Sequence, residues 1–85
     1  MTAAATPFIL PPLTQEERQL AVRYAFQREG MLTPEQLNNH ADRCVKLLHH
    51  MRDSTDPNVR RAFATTIHTI RAVRSVARQL ETENR

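Results

Sequence analysis

Two sets of side chains in this sequence have the types and spacing that chemistry requires: a histidine–cysteine pair and a row of arginines. His40 and Cys44 stand four residues apart, so a helix carries them on one face. Zinc needs three or four convergent ligands, and this pair supplies two. His49, His50 and His68 lie farther along, and no second pair or C-x-x-C accompanies them. A nucleophilic cysteine needs a base, an exposed cleft and a depressed pKa. Cys44 instead falls on an apolar helical stripe, where a thiol is ordinary packing. A phosphate-cradling loop is excluded by composition, since the chain has one glycine. The residues therefore predict no metal, no cofactor and no catalytic centre.

The arginines are the stronger signal. Arg60, Arg71, Arg74 and Arg78 fall within about 60° of one another at about 100° per residue, on one edge of a helix. Arg61 and His68 lie farther around. Such a row could track phosphates, and eleven of the twelve basic residues are arginine, giving a formal charge of +3. Arginine richness also fits a high-GC genome. Two features argue against a nucleic-acid reader. The row borders an apolar seam, where arginines cover packing and pair with acids on a neighbouring helix. Glu81 follows one turn after Arg78, and the helix after Gly30 spends its polar face on the nearly neutral set Asn38, Asn39, Asp42 and Arg43.

The elements that position these groups are helical. Val59, Phe63, Thr66, Ile70, Val73, Ala77 and Leu80 recur at gaps of four and three, one stripe of a long helix over about 56–82. Asp56-Pro57 supplies its cap and a proline at the first position. Thr14-Gln15-Glu16-Glu17 is a capping box, and Gly30 suits a left-handed C′ position, which predicts a first helix over about 14–29. Thr33-Pro34-Glu35-Gln36 opens a second, about 34–52, with Leu37, Ala41, Cys44, Leu48 and Met51 on one face. Short loops predict three antiparallel helices.

Residues 1–12 read as an extended arm, with Pro7, Pro11 and Pro12 bracketing Phe8, Ile9 and Leu10; residues 13–85 read as the three-helix domain. The first helix is apolar on two sides: Leu20, Ala21 and Tyr24 on one, Val22 and Phe26 nearly opposite. The third outruns its neighbours, and its end from about Val76 has no evident cover among the other helices, so either the arm folds back over it or a second copy covers it. Eighty-five residues make a thin core, so these surfaces predict association with another protein, including a second copy in a homodimer. The expected contact residues are Phe8, Ile9 and Leu10, Val22 and Phe26, and Arg71, Arg74 and Arg78. A lone cysteine, no membrane-length apolar run and no secretory leader predict a cytoplasmic protein.

Size and layout look like those of small bacterial and phage accessory proteins, including secretion chaperones, inhibitors and assembly adaptors. The likeness is one of architecture alone and transfers no functional residue. The expected function is a non-catalytic module that binds, and so inhibits, shields or assembles, a partner protein. The alternative is a small basic nucleic-acid-binding regulator that uses the arginine row.

Overall fold

The computed structural model describes residues 12–83. The arm residues Phe8, Ile9 and Leu10 lie outside them. The described chain is all-α, with three helices in order: α1 Gln15–Arg28, α2 Pro34–Met51 and α3 Pro57–Glu83.

Each helix starts where a side chain takes up an orphan amide. At α1, the Glu17 N–H donates to Thr14 Oγ1 (3.1 Å) and the Thr14 N–H donates to the Glu17 carboxylate (2.9 Å), a complete capping box. At α2, Thr33 Oγ1 accepts from the Gln36 N–H at 3.1 Å, with Pro34 at the first turn. At α3, Asp56 Oδ1 accepts from the Asn58 N–H at 2.9 Å. The end of α1 is a Schellman motif: Gly30 N–H donates to Gln27 O and Met31 N–H to Phe26 O, with Gly30 at φ +70°.

The core is small and confined to one end. Val22 of α1, Leu37 and Ala41 of α2, and Ala72, Val73, Val76 and Ala77 of α3 are buried. Phe26, Leu32, Ile70 and Leu80 pack against them. The α2–α3 register falls along one helix as it rises along the other. Asn38 and Asp42 bond Arg74, while Met51 and Arg52 share a hollow with Arg60 and Phe63.

One expectation is corrected here. The end of α3 is covered within the chain: Val76 and Ala77 are 0% and 1% exposed. The cover is α1, whose Arg23 guanidinium donates to Gln79 and Glu83 at 2.9 Å each, while Gln79 donates to Gln19. The thin end is the other one. From Asp42 to Arg71 no residue is buried, because α1 does not reach it.

Two measurements check the caps. Gly30→Ala meets no neighbour within 4 Å, so its cost is backbone strain alone, about 1–2 kcal/mol of unfolding free energy in denaturant titration. Glu17 has its pKa lowered from 4.5, first by the backbone N–H of Thr14 and then by its hydroxyl. The unfolded chain then binds this proton more readily, so the contribution of Glu17 is present above pH 4.5 and is lost as pH falls below it. Glu17→Gln removes that part of the acid dependence in denaturation curves recorded between about pH 3 and 6.

Candidate functional site

Val22 and Phe26, expected among the contact residues, face inward. Val22 is 9% exposed within the core, and Phe26 packs on it and meets the His40 ring edge-on at 5.3 Å. Their expected place at a partner surface is corrected: a helix that covers a groove must turn one apolar side down, and this is the side. The outward side is Leu20 and Tyr24, one turn apart and 67% and 69% exposed. Leu13 before the helix and Met31 after it are also exposed. Helical spacing puts Glu16 and Glu17 beside Leu20, so this face is an apolar line with an acidic start.

Arg71, Arg74 and Arg78 do come together. They line one open hollow with Gln15, Gln19 and Glu81, floored by Ile70 and Ala77. Their situations differ. Arg74 is engaged, donating to Asp42 at 2.9 Å and to Asn38 at 3.4 Å across the α2–α3 seam. Arg71 and Arg78 are exposed. An exposed pair such as Arg74–Asp42 contributes on the order of 1 kcal/mol or less. Arg74 is thus a fastening between helices, with Arg71 and Arg78 left as the cationic lip of the hollow.

The surface sequence reasoning missed lies where α1 stops. The His40 line of α2 continues through Cys44, Leu47 and Met51 at gaps of four, three and four. The Val76–Ala72 line of α3 continues back through Thr69, Thr65 and Ala62 at the same spacing. Both lines leave from beneath α1, and beyond it no other described helix lies on them. Leu47 there is 51% exposed. Thr69 donates its hydroxyl to the carbonyl of Thr65 at 3.0 Å, so on this line that polar group is satisfied within the helix. The signal that could have located it was length: α1 has 14 residues and α3 has 27.

Cys44 lies on the α2 line, half-buried, with its Sγ 3.6 Å from His40 Nε2. Partial burial pushes its thiol pKa up, the reverse of nucleophile activation. Among the described residues no three His, Cys, Asp or Glu side chains are grouped to hold a metal ion. Among them, too, no helix is long and apolar enough to cross a membrane. The raised thiol predicts that Cys44 in the folded chain reacts with a maleimide at pH 7 several-fold more slowly than in denaturant. Equal rates would show a thiol with ordinary acidity and access. Comparison with family models, with characterised proteins and with solved structures finds no match to this chain.

Proposed function

We propose that this chain is a non-catalytic binding module, which contacts another protein through its helical surfaces and so inhibits, shields or assembles it. The observation that carries the reading is the outer face of α1. A helix capped at both ends and packed on one side turns Leu20 and Tyr24 outward, each more than two-thirds exposed. Large apolar side chains paired one turn apart on an ordered helix are the kind of anchor a partner buries. Arg71 and Arg78 add a cationic lip beside the same helix, suited to carboxylates on that partner. A role as inhibitor, chaperone or adaptor, in phage or bacterium, fits a small module of this kind, and a lone free thiol fits the cytoplasm.

Nucleic-acid binding is the second reading, and the distribution of charge favours it. Between residues 44 and 69, Lys46, Arg52, Arg60 and Arg61 stand against Asp53 and Asp56, and three histidines lie among them. That half of the molecule is net basic.

A photoreactive amino acid at position 24, irradiated in the native cell, separates the two. The first reading expects a discrete protein adduct that Leu20→Asp abolishes and nuclease leaves intact. Binding of that protein to the purified chain should change little between about 50 and 200 mM salt, whereas phosphate-driven binding would drop by orders of magnitude. Adducts only to nucleic acid, with steep salt dependence, would replace the first reading with the second.

A further inference from the structure

A second hollow lies at the other end of α1 from Arg71 and Arg78. It is open and holds about 240 Å³. Ala25, Phe26 and Met31 give it apolar walls, His40 stands beside them, and Glu29, Gln36 and Arg43 form a polar rim. The walls are held from behind. Phe26 packs on the core and meets the His40 ring edge-on at 5.3 Å. His40 is tied in turn to Cys44, Nε2 to Sγ at 3.6 Å. Met31 is fixed through its backbone, since the left-handed Gly30 brings the Met31 N–H to Phe26 O at 2.8 Å. Its side chain stays 40% exposed, a flexible thioether at the mouth. We infer that this hollow seats one aromatic side chain with a polar tip, a tyrosine or a tryptophan, presented by the partner protein. The inference rests on the reading of the chain as a protein-binding module, and it names one chemical group the partner must bring.

Size points to a single ring. Sites for cofactors and drug-sized molecules enclose roughly 300–1,000 Å³, and this hollow is smaller. A lone ring in an open hollow binds at about millimolar concentration, too weakly to act unless a larger contact carries it. Ala25 adjoins Tyr24, so a partner that buries Tyr24 is already at the hollow's edge. The walls point to an aromatic ring, because it meets a phenyl ring, an imidazole and a thioether there. Phe26 thus serves as a wall for another ring, and not as a ring offered to the partner. The rim points to a polar tip. Glu29 accepts, Arg43 donates and Gln36 does both, and all three are exposed. Among the described residues no ion pair or side-chain hydrogen bond engages the side chain of any of them. A phenol O–H or an indole N–H donates to Glu29 or to the Gln36 amide oxygen, whereas a plain hydrocarbon would strip water from this rim and return no bond.

Three probes test the hollow on the purified full chain, labelled with nitrogen-15: the N-acetyl amides of tyrosine, tryptophan and leucine, each added to about 10 mM. The two aromatic probes should shift the amide signals of Phe26, Met31, Gln36 and His40 and approach saturation, with residues 57–64 unmoved. The leucine probe should bind about tenfold more weakly. Ala25→Trp fills the hollow from an exposed position, and Met31→Asp puts a charge on its wall; circular dichroism checks that both keep the fold. Each should weaken the aromatic probes about tenfold or more.

A photoreactive amino acid at position 36, irradiated in the native cell, identifies the source of the ring. It should give the same protein adduct as position 24, and Ala25→Trp should remove it. Shifts that do not saturate at these residues, equal binding of the leucine probe, or variants that bind as the wild-type chain does overturn the inference. Saturating probes with no protein adduct at position 36 also overturn it, and assign the hollow to a free small molecule. Probe failure beside a Tyr24 adduct to another protein removes the hollow and leaves the binding reading standing. Saturating probes with no protein adduct at either position remove the binding reading itself.

Discussion

The structure depends on α1 lying across the α2–α3 groove. Two helices alone bury very little, and the chain demonstrates it: where only α2 and α3 run together, between Asp42 and Arg71, every side chain keeps some contact with solvent. Full burial begins where Val22 comes down on Leu37, Ala41, Ala72, Val73, Val76 and Ala77. Three of those seven are alanine, so the helices approach closely and the packed volume is small. The bonds of Gln19 and Arg23 to Gln79 and Glu83 edge this contact in solvent. Exposed pairs of this sort add little each, so the energy lies in Val22 and the groove beneath it while the polar edge sets register. A core of this kind makes the half held by α1 the stable part of the molecule and the α2–α3 turn end the part that opens first.

Much of this was legible in the sequence, because local rules are read locally. Thr14, Thr33 and Asp56 announced the three helix starts and accept the bonds that begin them. Gly30 announced the left-handed stop. The stripe from Val59 to Leu80 is one face of α3, since a 3.6-residue period survives any tertiary arrangement. What periodicity cannot supply is the choice among faces and ends. Val22–Phe26 and Leu20–Tyr24 are equally spaced, and both are flanked by polar residues. The side that packs is the one whose flanking Gln19 and Arg23 find Gln79 and Glu83 about sixty positions away. The exposed end of α3 was misplaced for the same reason: chain order shows that α3 is long, and only α1's position shows which of its halves α1 covers.

The arginines make the point at the level of single residues. Arg71, Arg74 and Arg78 share a helix edge and read alike in sequence. Asp42 and Asn38 across the seam single out Arg74. The acid that turns one arginine from a surface charge into a fastening belongs to another helix, at a register that only packing sets. Arg71 and Arg78 bond no described residue at the mouth of the hollow beside Gln15, where the α1 N-terminus adds its own partial positive charge.

A mismatch of lengths ties these observations together. At 1.5 Å per residue α3 runs about 40 Å and α1 about 21 Å, so one layer of the molecule is half the length of the layer beneath it. The longer helix nevertheless keeps a smooth surface beyond its cover: Ala62, Thr65 and Thr69 repeat the line of Ala72 and Val76, without a charge until Arg61 and His68 at its border. A stretch of α3 meant only for solvent would need no such line, because charged residues on that face would cost nothing and would protect the turn end from aggregation. The fold is therefore a short helix laid over one half of a longer pair, and among the described residues the other half has no third helix on it.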